Sequence, residues 1–465
     1  MNTHFVIIGN GAAGYRAAKA LRRADADAQI SIVTEERYPF YLRRQLGDFL
    51  TGALTLEELI FQSRNTYRRE RIDLFLMTRI ERIDAAEHEV LFTSGQRVRY
   101  DRLLIATGTH AVPLEIPGVD LEGVSTFDTL SQAQDVKALL GNVRRAAILG
   151  EGIVGLTLAE SLIERGIGVT QFVRDERFWP EMLDEQASGL VEDLLEERGI
   201  VLKYGDEARA ILGAGRRAIG VETVGGEALP AELVGIGCRR RPAIELVAGS
   251  GIEVGHGIRV DAALRTSQAD VFAAGDVAEP AALDEFSGES SVFCWQRAWA
   301  QGGVAAAGML GQKADPTLEA VRLRAVLFGH DLAVIGRGHL PTEGAITAVE
   351  LREEPSIYRR LVFEDNALVG AIVFGTGESV HELNRMVAQH TPRENVEATL
   401  RLGPAVPGGP EVLPKTFARH CPICAAELVI HCGTRAGTVV RCEVCNTDLM
   451  VRWDGHRGWL DVGRP

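Results

Sequence analysis

Over its first 420 residues this 465-residue sequence contains only two cysteines, Cys238 and Cys294, and the other five lie between positions 421 and 445. So sparse and so clustered a set excludes the disulfide framework of a small secreted protein and points to a metal site at one end. No apolar run approaches the roughly 18 residues that a membrane helix needs. Positive charge is in deficit: 50 Lys and Arg against 64 Asp and Glu leave a net charge of -14. That balance argues against nucleic acid and against anionic membrane as partners, since both need a positive field. The composition of a disordered or fibrous chain is also missing, with 46% hydrophobic and 25% charged residues. The opening Met-Asn-Thr-His-Phe-Val-Ile-Ile enters a strand at once, which predicts no signal peptide in this sequence. The expectation is a cytoplasmic α/β protein of about three domains, at one per roughly 150 residues.

What is present begins with Phe5-Val6-Ile7-Ile8, a short apolar run followed by Gly9-Asn10-Gly11-Ala12-Ala13-Gly14. A helix is predicted over Tyr15–Arg23 and a second strand over Ile30–Val33, making a βαβ unit with a G-x-G-x-x-G turn. Gly9 permits the tight turn, Gly11 lets backbone approach a pyrophosphate, and Gly14 lets helix and strand pack closely. The helix N-terminus then offers unpaired N–H groups and the positive end of its dipole to phosphates. Glu35, or its neighbour Glu36, is placed to accept hydrogen bonds from a ribose diol.

The pattern repeats about 140 residues later. Ala146-Ala147-Ile148-Leu149 precedes Gly150-Glu151-Gly152-Ile153-Val154-Gly155, with a helix predicted through Glu164 and a strand at Gly168–Val173. One such motif is weak, but two in strand–turn–helix–strand context are hard to explain as connectors. Leu103–Gly108 reads as an apolar strand ending in small residues, Ala106, Thr107 and Gly108, against which a planar ligand could lie. Thr266–Asp276 reads as a strand ending in Gly275 and Asp276, the latter a candidate acceptor for a sugar-alcohol chain.

This order of motifs resembles the two-dinucleotide-binding-domain FAD/NAD(P)H oxidoreductases of the pyridine nucleotide-disulfide oxidoreductase superfamily. Within them it is most similar to the branch of rubredoxin and ferredoxin reductases and nitrite reductase FAD modules. Tyr38-Pro-Phe-Tyr-Leu-Arg43 and the helix Trp299–Gly311 carry that likeness too. It implies an α/β fold with two Rossmann-like domains: an FAD domain in two segments, 1–112 and 248–316, with an NAD(P)H domain, 113–247, between them. A third α/β domain, 317–402, would form the contact of a homodimer. The resemblance further implies FAD contacts at Ala12, Ala13 and Arg43, and NAD(P)H contacts at Gly150, Gly152, Ile153, Val154, Gly155 and Gly237.

The sequence departs from that family at four places. Positions 36–70 hold no Cys, which disfavours a thiol relay beside the flavin. Asp48 stands where relatives carry a Lys near the flavin. The strand-end acid of the second motif is replaced by Val173 and followed by Arg174, whose fork suits the 2′-phosphate of NADPH; Asp175 is the alternative, a ribose partner. Thr157 occupies a helix position where a Glu often sits near the nicotinamide. Cys238 and Cys294 read as small buried hydrophobes. Arg64–Arg71 reads as a solvated helix face, with a docking patch for an acidic carrier as the sharper alternative.

Residues 403–415 are too rich in Pro and Gly for regular structure and read as a linker. Beyond it, Cys421-Pro-Ile-Cys424 and Cys442-Glu-Val-Cys445, 17 residues apart, form a strong tetrahedral thiolate signal. With strands at 428–432 and 438–441 and a hairpin of Leu449–Trp453 and Trp459–Val462, residues 416–465 look like a small β zinc ribbon. Ala425 and Asn446 stand where rubredoxins usually carry Gly, which favours zinc over iron, the alternative metal. His431 and Cys432 are spare potential ligands.

The function expected is hydride transfer from NAD(P)H to flavin N5, then delivery of electrons to a rubredoxin- or ferredoxin-like protein. That step needs alignment more than an acid or base, so no catalytic residue is assigned. The alternatives are an NAD(P)H oxidase or small-molecule reductase, and a flavin-loaded scaffold whose ribbon recruits a partner.

Overall fold

The computed structural model describes residues 2–237, 240–280, 294–313, 320–339, 346–354, 357–375 and 380–401, with residues 421, 428, 439–442, 448–453 and 458–462 beyond them. Strand β1 (His4–Ile8) leads through a glycine turn into helix α1 (Ala12–Ala24) and strand β2 (Gln29–Val33). The short helix α2 (Leu46–Thr51) follows, then strands β3 (Ile72–Phe75) and β4 (Arg102–Ile105). With Val271–Ala273 from far downstream they form a parallel sheet in the order Val271–Ala273, β4, β1, β2, β3. Both faces of this sheet are covered, so Phe5, Val6, Ile7 and Ile8 are all buried in succession. Such unbroken apolar runs are what a parallel sheet requires, and each side chain buried this way contributes about 1.5–3 kcal/mol.

The same construction recurs after helix α3 (Leu130–Leu139), with strand β5 (Arg145–Leu149), helix α4 (Ile153–Glu164) and strand β6 (Gly168–Val173). Strands β7 (Ile200–Tyr204) and β8 (Leu233–Ile236) and the two-residue strand Val124–Ser125 complete a second parallel sheet, ordered β7, β6, β5, β8, Val124–Ser125. The chain passes between the sheets twice, at Thr109–Ala111 and Arg240–Pro242, and these two passages pair antiparallel. Everything up to Thr317, together with Ala325–Gly329, forms one compact unit.

The second compact unit, Leu318–Arg324 with His330–Pro465, is built on a five-stranded sheet ordered Val321–Leu327, His330–Gly336, Ala367–Gly375, Ile357–Glu364, Ile346–Glu354. The helix Val380–Ala388 packs on the strands His330–Gly336 and Ala367–Gly375 and buries Leu383, Met386 and Val387. Near the C-terminus the strands Val439–Arg441, Asp448–Trp453 and Gly458–Val462 form an antiparallel meander, with Val440 opposite Leu449 and Val451 opposite Leu460. The strand expected at 428–432 lies outside the described residues except for Leu428, which is buried.

Several boundaries differ from the sequence reading: α1 starts at Ala12 rather than Tyr15, and the strand expected over Leu103–Gly108 ends at Ile105. The strand expected from Thr266 begins only at Val271, because Thr266–Asp270 is a turn. Asp270 has φ +62°, and Thr266 closes the turn through its N–H to Val271 O and its Oγ1 from Gln268 N–H. The helix expected from Trp299 starts one turn earlier, as α5 (Trp295–Met309). The basic run 64–71 does form a helix, Arg64–Arg69, with its arginines exposed and Tyr67 buried. Among the described residues, no helix is long and apolar enough to cross a membrane.

Candidate functional site

The first glycine turn is locked by contacts that only glycine allows. Gly9 has φ +107°, its N–H donates to Val33 O at 2.8 Å, and a Cβ there would fall 2.1 Å from Ala106 O. Gly14 is equally confined, 2.0 Å from Gly9 O on the same measure, whereas a Cβ on Gly11 would meet nothing within 4 Å. The turn is therefore tight on its protein side and open on the other. Gly11 caps α1 with no side chain, and no acid sits in the first helical turn, so the N–H groups there are available to an anion.

Around this opening the structure gathers residues distant in sequence. Ala106 N–H donates to Ile8 O at 2.8 Å, and Thr107 Oγ1 donates to Ala243 O at 2.9 Å. Gly108, φ +70°, accepts from Ala243 N–H at 2.9 Å. Gly275, φ +82°, lies against Ala13, whose backbone also meets Gly302 of α5. Next to it Asp276 has a buried Oδ1 with no hydrogen-bond partner among the described residues. Burial pushes this carboxyl above its ordinary range, while Arg297, Arg240 and Arg43 pull it back. An orphaned acceptor beside an open glycine turn and an uncapped helix fits a dinucleotide with a polyol chain, as FAD has.

Of the two candidate diol acceptors, Glu35 is 66% exposed and 3.5 Å from Arg79. Glu36 accepts from Tyr41 OH at 2.6 Å and pairs with Arg43, whose guanidinium also donates to Asp128 O. The Arg43 bond to Asp128, and the Arg240 guanidinium bonded to Asp128 and Thr109, were invisible in the sequence because they join residues 85 to 131 positions apart. Asn10 Nδ2 and Trp299 Nε1 are two further buried polar atoms without hydrogen-bond partners among the described residues; Asn10 sits inside the motif and Trp299 in the helix already singled out. Trp299 stacks on Trp295 at 5.0 Å, and Tyr15 stacks on Phe40 at 4.3 Å, fixing Tyr38–Arg43 against α1.

The second turn is a crossing of glycines. Gly150 has φ +105° and Gly237 N–H donates to Leu149 O at 2.9 Å. A Cβ on Gly152 would lie 2.7 Å from Gly237 O, one on Gly155 3.0 Å from Gly150 O, and one on Gly237 2.7 Å from Gly155 Cα. Gly152 caps α4 without a side-chain bond, and Ile153 and Val154 are half-buried at its start. At the end of β6, Arg174 is paired with Asp175 at 3.3 Å on the surface, while its N–H donates to Glu151 Oε2 at 3.3 Å.

Helix α2 lies directly on α4: a Cβ on Gly47 would be 3.0 Å from Thr157 Cγ2 and 2.8 Å from Ser161 Oγ. Thr157 spends its hydroxyl on Ile153 O, and Asp48 is exposed on the same short helix. A lysine does reach α2, but from α3: Lys137 Nζ donates to Phe49 O at 2.5 Å. Cys294 is buried at the start of α5, its Sγ 3.1 Å from Gln296 Oε1. Cys238 lies outside the described residues.

Of the four expected metal ligands, Cys421 and Cys442 are 1% and 0% exposed. Cys424 and Cys445 lie outside the described residues, as do His431 and Cys432, and no group of three ligating side chains occurs among those described.

Residues 3–302 match the family model described as pyridine nucleotide-disulphide oxidoreductase. The chain is 27% identical over 372 residues, 80% of its length, to the assimilatory nitrate reductase electron transfer subunit of Bacillus subtilis, and spans 47% of that protein. It thus covers about half of the first curated relatives it matches. It is 31% identical over 390 residues to the ferredoxin--NAD(+) reductase component of the anthranilate 1,2-dioxygenase system of Burkholderia cepacia, covering 83% of this chain and 94% of that one. Among solved structures, the ferredoxin reductase for the CYP199A2 system from Rhodopseudomonas palustris superposes with a TM-score of 0.72 at 25% identity, over 80% of this chain and 91% of that one.

Proposed function

The chain belongs to the pyridine nucleotide-disulphide oxidoreductase family, and from that premise we propose an FAD-dependent NAD(P)H oxidoreductase that passes electrons to a protein acceptor of the ferredoxin or rubredoxin kind. The observation that carries this is the duplicated glycine turn at an uncapped helix N-terminus, one copy of it beside the orphaned Asp276 Oδ1. Bound FAD would supply the exchange between a hydride donor and one-electron acceptors. The residues supply position. Gly9, Gly11, Ala12, Ala13 and Gly14 would receive one pyrophosphate, with Ala106, Thr107, Gly108, Gly275, Asp276, Arg43 and Glu35 or Glu36 around the rest of that cofactor. Gly150, Gly152, Ile153, Val154, Gly155 and Gly237 would receive the other.

The protein acceptor is favoured over a thiol relay because positions 36–70 hold no Cys, and the relatives named as ferredoxin and rubredoxin reductases support it. Stopped-flow mixing of the flavin-loaded protein with NADH and NADPH tests the core of this reading. Bleaching of the flavin band by either, with faster turnover on ferredoxin or rubredoxin than on oxygen, is expected; a flavin left oxidised by both would defeat it.

Residues 1–112 and 248–316 would make the FAD domain, 113–247 the NAD(P)H domain, 317–402 a homodimer contact, 403–415 a linker and 416–465 a metal module. The thiolates of Cys421, Cys424, Cys442 and Cys445 suit zinc, or iron in the same cage, and two of them are fully buried. Zinc would be structural, whereas iron would add a one-electron carrier.

A further inference from the structure

Glu151 is 9% exposed, and it is the only acid among the buried polar side chains of the described residues. Burying a carboxylate is costly unless something repays it, yet this one accepts a single described hydrogen bond, a long one at 3.3 Å from Arg174 N–H. That bond fixes its position. The carboxylate lies at the C-terminal end of β6, where an acid on the strand itself ordinarily receives the adenosine ribose of a dinucleotide. Here the strand ends in Val173 and Arg174, and neither supplies one.

The first motif shows the ordinary arrangement, with neutral Asn10 between the glycines and Glu35 beyond the strand end. The second inverts it, placing the acid between Gly150 and Gly152 and a base at the strand end. Arg174 does not convert this corner into an anion site. Its guanidinium is 47% exposed and held by Asp175, and Glu181 adds another negative charge nearby. Arg177 is committed elsewhere, donating to Leu183 O, Ser188 Oγ and Pro180 O. Three carboxylates therefore surround one paired guanidinium.

Resting on the oxidoreductase reading above, we propose that Glu151, carried in the glycine turn, takes the part of the missing strand-end acid, receives the ribose hydroxyls of the nicotinamide coenzyme and makes NADH the preferred reductant. A diol donates to a carboxylate; a 2′-phosphate in the same place meets like charge, which costs several-fold to several hundred-fold in affinity at close range. This reverses the preference for NADPH that Arg174 alone suggests.

The test uses the flavin-loaded protein. Its reduction by NADH is expected to be at least about tenfold more efficient than by NADPH, and Glu151→Gln, which keeps the shape and removes the charge, is expected to shrink that ratio by about tenfold or more. Calorimetry with ADP-ribose and its 2′-phosphate on the unmutated protein should give the same order of affinity without any turnover, so the proposal stays testable if the variant fails to fold. Reduction by NADPH as well as by NADH, or an unchanged ratio in Glu151→Gln accompanied only by a lower melting temperature, would overturn this inference and leave the oxidoreductase reading standing. A flavin reduced by neither coenzyme would remove both.

Discussion

Glu160 shows how one side chain can set a pH dependence. It lies on α4, accepts a hydrogen bond from Phe328 N–H at 2.6 Å, and is pushed up to about 7 by burial first, then by Glu164 and Asp48. Its ordinary value is 4.5, so between the two the folded protein holds a proton that the unfolded chain has released. Stability is then greatest at the acid end of this window and falls as pH rises through about 7. Glu160→Gln keeps the acceptor for Phe328 and removes the titration. It should stabilise the protein by about 1–2 kcal/mol near pH 8, allowing for solvent at the outer edge of the side chain, and have little effect near pH 4.5. Urea unfolding at the two pH values checks both halves; equal shifts at both would show that the carboxyl does not titrate as argued. Glu164, four residues along the same helix, was legible in the sequence, but the Phe328 bond was not, because it joins residues 168 positions apart.

The glycine turns are the elements the sequence announced most clearly, and the reason is steric. A position with φ +107° and a carbonyl oxygen 2.1 Å from a notional Cβ admits only glycine, so its geometry leaves a mark in the residue type itself. Gly9 and Gly11 nevertheless serve different ends, which substitution separates. Gly9→Ala should destabilise the protein by about 2–4 kcal/mol through overlap with Ala106 and the strained backbone. Gly11→Ala faces open space and should leave the apoprotein within about 1 kcal/mol of the original, yet lower its flavin content by filling the cofactor's approach. Thermal melts of apoprotein, with the ratio of flavin to protein absorbance, distinguish the two; equal loss of stability would show that the Gly11 side is not open. Where a turn is closed by hydroxyl and backbone bonds, as at Thr266–Asp270, residue type says less and the strand was read too long. The Lys137 contact with Phe49 was hidden differently: an ordinary helix residue meets a carbonyl 88 positions away.

At the scale of the whole molecule the chain forms two compact units, and the motifs that suggest nucleotide chemistry all fall in the first. The cysteine pairs fall in the second. If the four cysteines hold the proposed metal, removing it should therefore separate their properties. Cys442→Ser is expected to abolish zinc in elemental analysis and to destabilise the C-terminal meander, since a module of about 50 residues draws much of its folding free energy from such a metal. Flavin content should be retained. Loss of flavin together with zinc would show that the two units depend on each other. The repeated βαβ pattern made the parallel sheets legible because unbroken apolar strands are a direct consequence of two-sided burial. The second unit's strands also hold unbroken apolar runs, Leu332–Ile335 and Leu368–Phe374, but no glycine-turn motif orders them, so they were placed only as part of a generic α/β region.

The paired passages Thr109–Ala111 and Arg240–Pro242 put entry and exit of the whole intervening segment side by side, with Arg240 opposite Ala111. Neighbouring strands stand about 5 Å apart, so a short hairpin loop could close the parent fold if everything between were excised. The segment is thus mounted on a two-stranded stem, while the packing of α2 on α4 and the Lys137–Phe49 bond tie it to the rest of the first unit as well.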